Sequence, residues 1–72
     1  MRELRFHREL YRGESVDEAI KIYDRFATLE RAEEEAHWVV KVSSDSPARE
    51  RRVADELSNY ALGLTLTARG EQ

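Results

Sequence analysis

The stretch "ADELSNYALGLTLTARG", residues 54–70, decides between two folds for this chain. Read as a helix that begins at Pro47 with Ser46 as its N-cap, it carries an apolar stripe formed by Val53, Ala54, Leu57, Tyr60, Ala61 and Leu64. Read as a strand after Tyr60, it alternates between the apolar set Leu62, Leu64, Leu66 and Ala68 and the set Gly63, Thr65 and Thr67. The helix predicts an α+β two-layer sandwich with an antiparallel sheet and the order β-α-β-β-α. A strand at 63–68 predicts the ferredoxin-like order β-α-β-β-α-β.

The first third of the chain predicts a strand followed by a helix. Leu4, Phe6 and Leu10 are separated mainly by polar residues with a two-residue period, which is typical of an amphipathic strand. We expect the helix to have Ser15 as its N-cap, with Glu18 completing a capping box. Its apolar stripe is formed by Val16, Ala19, Ile20, Tyr23, Phe26 and Ala27.

Residues 28–43 allow two interpretations. The segment 29–36 consists largely of strong helix formers and could extend the first helix. Residues 37–43, in contrast, are rich in β-branched side chains, which favours a strand. We favour a hairpin that starts at Thr28, because a domain of this size needs several strands to form a sheet. The turn at 33–35 contains no Gly, Asn or Asp, so the turn itself adds little support.

Composition narrows the class of protein. The chain has 72 residues, 40% apolar and 38% charged, with a net charge of −3, and we expect a single domain over residues 1–72. A domain this small buries only about 60% of its unfolded surface, which favours stabilisation by oligomerisation. Without cysteine it can form no disulfide or thiolate site. It has no apolar run of about 18 residues and no secretory h-region at residues 1–5, so we expect a cytoplasmic protein that does not enter a membrane.

No set of residues suggests catalysis, a metal site or a cofactor. His7 and His37 each stand alone in a strand. They could face each other across a sheet, but a protein metal site needs three or four ligands. Asp17 and Glu18 are explained by helix capping, and the glycines are too scattered for a phosphate-binding loop. We therefore expect neither an enzyme nor a bound cofactor.

The second helix begins with a basic patch, which raises the question of nucleic acid. Arg49, Arg51 and Arg52 lie in its first turns. Acidic residues follow four positions later, so that Arg51 is expected to pair with Asp55 and Arg52 with Glu56. The patch would then be a face of mixed charge. Together with the negative net charge, this leaves a weak nucleic-acid-binding module as an alternative only.

Several apolar residues have no place on the predicted core face. Leu62 and Leu66 form an extra strip on the last helix, and Ile22 and Val39 are also left over. Because exposed apolar side chains indicate partners, we expect a two-fold homodimer formed through an open sheet surface or edge and this strip. Asn59, unfavourable in mid-helix, is expected to hydrogen-bond to a loop or a partner chain. The predicted interaction residues are Trp38, Asn59, Tyr60, Leu62 and Leu66.

Most of the chain between Tyr11 and Leu62 follows one family pattern. The pieces are Tyr11, "SVDEAIKIYDRFA" (15–27), "HWVVKVSS" (37–44) and "ADELSNYALGLT" (54–65). Together they resemble the HxsD-like proteins, small accessory proteins of His-Xaa-Ser radical SAM peptide-maturation systems. The family's terminal-helix signature is matched by Leu57, Asn59, Tyr60 and Leu62, but the arginine and glutamate that follow in the family are Gly63 and Leu64 here. The resemblance implies the order β-α-β-β-α, no catalysis by the protein itself, and a modifying enzyme or its precursor peptide as partner.

A second family shares the same elements. The segment "ELSNYAL", residues 56–62, is similar to the terminal helix of the small dimerising subunit of the KEOPS tRNA-modification complex, with Ser58 and Asn59 in reversed order. That family's serine-leucine step after the first helix is absent from this chain. The resemblance implies a dimerising subunit of a tRNA-modification assembly. Either resemblance implies a module that carries out no catalysis within a larger assembly.

Overall fold

The computed structural model describes residues 1–70, without the side chain of Arg69. Its elements, in chain order, are β1 (Arg2–His7), α1 (Gly13–Tyr23), β2 (Thr28–Glu33), β3 (His37–Ser43) and α2 (Pro47–Gly70). The predicted α+β order β-α-β-β-α is confirmed. Residues 63–68 are helical, so the ferredoxin-like alternative is wrong.

The three strands form one antiparallel sheet in the order β1-β3-β2, with β3 in the centre. The hairpin expected over residues 28–43 is therefore confirmed. Residues 29–36 favour a helix by propensity, but β2 pairs with β3 along its whole length, and this pairing prevails. The turn is closed by the Glu34 amide, which donates to the His37 carbonyl oxygen at 2.8 Å.

One face of the sheet carries the core, with both helices packed against it. Trp38, Val40 and Val42 point to this face from β3, as their alternation predicts. The buried cluster consists of Phe6, Val16, Ala19, Val40, Val42, Val53, Ala54, Leu57 and Ala61. Half-buried aromatic and aliphatic side chains from α1, α2 and β2 surround it.

The other face of the sheet is polar, and Val39 lies on it without being exposed. Only 2% of Val39 is accessible to solvent. Its cross-strand neighbours on that face are Arg5 and Ala32, and Arg5 forms ion pairs with Glu3 and Glu34. The expectation that Val39 contributes to an apolar surplus is therefore wrong, because neighbouring side chains shield it.

Helix α1 begins three residues earlier than its sequence predicts. Arg12 takes the N-cap position with no side-chain hydrogen bond, and Ser15 is buried inside the helix, where its amide donates to the Arg12 carbonyl oxygen at 3.0 Å. The predicted capping box at Ser15 and Glu18 is thus wrong. The backbone at Gly13 approaches Trp38 so closely that a Cβ there would lie 3.1 Å from Cζ2 of the ring. The first helical residue, Gly13, therefore leaves no free space for a larger side chain beside Trp38.

Three apolar residues, Leu10, Phe26 and Ala27, lie beyond the elements to which their spacing assigns them. Strand β1 ends at His7, whose carbonyl oxygen accepts from the amides of Leu10 and Tyr11 in the turn that follows. Helix α1 ends at Tyr23. Leu10 and Phe26 are consequently exposed instead of completing an apolar face.

Helix α2 begins where its sequence predicts. The Ser46 hydroxyl oxygen accepts from the Arg49 amide at 3.2 Å, which confirms Ser46 as the N-cap before Pro47. The helix runs antiparallel to α1: its start borders a groove with Tyr23, and its last turns border the start of α1 near Ser15.

Candidate interaction surface

The five predicted interaction residues fall into two groups. Trp38 and Tyr60 are half-buried against the core, whereas Asn59, Leu62 and Leu66 lie on the exposed side of α2. The contacts of each group show what it can offer to a partner.

Trp38 is held by contacts from three directions. Its indole N–H donates to the Tyr11 carbonyl oxygen at 3.1 Å. The guanidinium groups of Arg8 and Arg31 lie 4.1 Å and 4.9 Å from the ring centroid, within cation–π range, and Gly13 packs against the ring edge. Through these contacts Trp38 connects β3 to the start of α1. Its contact with a partner stays a prediction.

Tyr60 joins the two helices. Its ring lies edge-on to that of Tyr23, with 6.1 Å between the centroids. Such edge-to-face pairs stabilise a fold beyond the area that they bury. The ring faces α1, so most of Tyr60 is engaged within the protomer.

Asn59, Leu62 and Leu66 share the outer side of α2. Their spacing of three and four residues places them on one helical face. Leu62 is 41% and Leu66 55% exposed, and we call this pair the leucine strip. The Asn59 side chain lies on the solvent side of α2 and makes no hydrogen bond within residues 1–70. The expected hydrogen bond to a loop is therefore wrong. A bond to a partner chain stays a prediction.

A second apolar surface was not predicted from the sequence. A groove of about 470 Å³ lies between the end of α1 and the start of α2. We call it the arginine groove; it is lined by Tyr23, Phe26, Ser46, Ala48, Arg49, Arg52, Val53 and Glu56. The helical spacing of the apolar stripe of α1 assigns Phe26 to the core. The groove can therefore be identified only once α1 is known to end at Tyr23.

The expected neutralisation of the basic patch is not observed. Over residues 1–70, neither Arg51 with Asp55 nor Arg52 with Glu56 approaches within the 4.0 Å that defines an ion pair. This prediction is wrong, and the physical reason is that exposed pairs of long side chains gain little over solvation. Arg49 and Arg52 therefore keep their charge for other partners.

The two histidines lie opposite each other, as considered from the sequence. His7 and His37 are register partners in β1 and β3, with ring centroids 5.2 Å apart. The Nδ1 atom of His7 accepts from the Glu9 amide at 3.2 Å. No group of three metal-binding side chains occurs in the part of the chain that the structure describes. The two rings form an edge-to-face contact where the paired strands β1 and β3 end.

Comparison with known proteins identifies no relative of this chain. No protein-family model, curated protein or solved structure matches this chain. Neither helix within residues 1–70 combines the length and apolar content that a membrane crossing requires. Function has to be inferred from the surfaces described above.

Proposed function

We propose that this protein is an accessory module without catalytic activity that works in the cytoplasm as a homodimer. The observation that carries the proposal is the leucine strip, two leucines left 41% and 55% exposed on one face of α2. Each leucine side chain contributes about 1.5–3 kcal/mol when it is fully buried, so pairing of two strips is favourable. A two-fold arrangement brings the same residues together from both copies.

The polar sheet face argues for α2 as the contact. Arg5, Glu3 and Glu34 already satisfy one another there, and their desolvation would oppose face-to-face packing of two sheets. A specific interface buries about 1,200–2,000 Å² in total, more than two leucines per copy supply. Neighbouring polar residues, Asn59 among them, therefore have to take part.

The biological setting that we propose is a peptide-modifying system of the His-Xaa-Ser radical SAM type. The support is the β-α-β-β-α order together with the residues Leu57, Asn59, Tyr60 and Leu62, which resemble the HxsD-like signature. In this setting the protein binds a modifying enzyme or its precursor peptide. The alternative setting is a tRNA-modification assembly, in which this protein would be the dimerising subunit and the leucine strip its dimer contact.

Sedimentation equilibrium at micromolar concentration tests the dimer. The parent protein is expected at twice the protomer mass, and Leu66→Lys at the protomer mass with an unchanged melting temperature in the monomeric state. Thr67→Lys is the matched control, because it places the same charge at an adjacent exposed position outside the strip. A parent protein that sediments as a monomer, or a Leu66→Lys dimer, contradicts the proposal.

A further inference from the structure

We propose that the arginine groove binds an acidic segment of a partner polypeptide, with one apolar side chain of that segment seated between the two helices. The inference rests on the proposed role as a partner protein and names the chemistry of the segment that is bound.

The floor of the groove is apolar and open. Phe26 is 49% exposed, its ring centroid lies 6.3 Å from that of Tyr23, and Val53 beneath them is buried. A volume of about 470 Å³ falls within the range of about 300–1,000 Å³ that is typical of ligand clefts. Aromatic and aliphatic side chains are the groups that such a floor accepts.

The rim of the groove is positively charged on balance, because its lining contains two arginines, Arg49 and Arg52, and one carboxylate, Glu56. Arg49 and Arg52 stand one helical turn apart on α2, and the guanidinium carbon of Arg25 lies 6.0 Å from the Phe26 ring centroid. None of these three has a carboxylate oxygen within 4.0 Å among residues 1–70. By contrast, three sheet-side arginines, Arg5, Arg8 and Arg31, each have one, whereas Arg2 in β1 has none among residues 1–70. The rim is therefore complementary to a segment that carries carboxylates on either side of its apolar anchor.

A second copy of this chain does not supply that segment. Its acidic run is Glu33–Glu35, and within one protomer Glu33 and Glu34 already pair with the sheet-side arginines. A nucleic-acid strand is the less favoured occupant, because the chain carries a net charge of −3 and the groove offers one exposed aromatic ring, Phe26, as a stacking platform. The occupant is thus a different, acidic polypeptide.

Fluorescence anisotropy with labelled pentapeptides tests the inference on the full chain at low salt. The probe has phenylalanine between two Asp-Glu pairs, and the comparison peptides have alanine at the centre or lysines on both sides. We expect the acidic phenylalanine peptide to bind about tenfold more tightly than either comparison peptide. Equal binding of the lysine peptide overturns the charge argument, and tighter binding of a thymidine decamer overturns the choice of a polypeptide.

Variants assign the binding to the groove. Arg49→Glu combined with Arg52→Glu is expected to weaken binding of the acidic phenylalanine peptide about tenfold or more. Arg2→Glu combined with Arg51→Glu is the matched control: it changes the net charge by the same amount at two exposed residues outside the lining of the groove, and it should bind as the parent does. Glutamate near a helix N-terminus is compatible with the helix dipole, and circular dichroism checks that both variants stay folded. Parent-like binding by the double variant overturns the proposal.

The test is independent of the dimer. Along α2, Arg49 and Leu66 are about 25 Å apart. Absence of peptide binding by a protein that still sediments as a dimer overturns the groove and leaves the homodimer standing. Peptide binding by a strictly monomeric protein supports the groove and contradicts the homodimer.

Discussion

The rest of the chain supports the two ends of α2 in different ways. At the N-terminal end the Ser46 hydroxyl caps the helix, and the Glu50 carboxylate accepts the Ser44 amide at 3.3 Å and lies 3.1 Å from the amino group of Met1. At the C-terminal end Leu62 and Leu66 are exposed. The difference separates an end of the helix that is fixed by a cap and an ion pair from an end that carries two exposed leucines.

Length accounts for this difference. The helix has 24 residues and is about 36 Å long, whereas the seven residues of β3, the longest strand, span about 23 Å. The sheet can cover only part of the helix, and the last turns pass the start of α1 instead. Leu62 and Leu66 lie on the side of those turns that faces neither the sheet nor α1, and they are exposed.

The largest expected effect compares two leucines of α2. Leu57 is fully buried, so Leu57→Ala should lower the free energy of unfolding by about 2–5 kcal/mol. Leu66→Ala removes the same atoms from an exposed position and should cost at most about 0.5 kcal/mol in the monomer. Urea unfolding at low protein concentration, followed by the fluorescence of Trp38, measures both. Equal costs would show that the strip is buried within the protomer.

Thr65 is a buried polar residue in the C-terminal half of α2. It is 1% exposed, and its hydroxyl has no hydrogen-bond partner among the described residues. A buried hydroxyl without a partner costs about 1–3 kcal/mol, so Thr65→Val should raise the free energy of unfolding by about 1 kcal/mol. Thr67→Val, the exposed control, should change it little. A loss of stability in Thr65→Val would indicate that a bound water satisfies the hydroxyl.

The N-terminal half is tested by its cap. Ser46→Ala removes the acceptor of the Arg49 amide and should cost about 1 kcal/mol. Ser15→Ala changes a serine inside α1 that caps nothing, and since alanine has the better helix propensity the stability should stay within about 0.5 kcal/mol of the parent. Thermal melts of the two variants compare them directly. The reverse order of effects would restore the capping box at Ser15.

Periodicity predicts the order of elements but not where two of them stop. The stripes of α1 and α2 and the alternation of β3 are local patterns, which is why they can be identified without the structure. The start of α1 at Gly13 packs against Trp38, a residue distant in the chain. The ambiguity at 63–68 is resolved by burial of Thr65 and exposure of Leu62 and Leu66, the opposite of what a strand with its leucines facing the core requires. Tertiary contacts decide such boundaries.

The candidate surfaces differ in the same way. The leucine strip follows from spacing within one helix, so Leu62 and Leu66 could be predicted as exposed. The arginine groove joins the residues after α1 to the first turns of α2, and it requires Phe26 to lie outside the helix. The basic patch could be identified in the sequence, but the ion pairs expected for it argued against its use as a binding surface.

The smallest expected effect concerns Asn59, which borders the leucine strip. Its side chain is exposed and makes no hydrogen bond within residues 1–70, so in the monomer only its helix propensity counts. Asn59→Ala should therefore raise the free energy of unfolding by about 0.5 kcal/mol, because alanine is the better helix former. If Asn59 bonds to the partner in the proposed dimer, Asn59→Ala should weaken association by about 0.5–1.5 kcal/mol. Thermal melts at low concentration and sedimentation equilibrium separate the two effects. A monomer destabilised by about 1 kcal/mol would show that Asn59 is bonded within the protomer, and unchanged association would remove it from the interface.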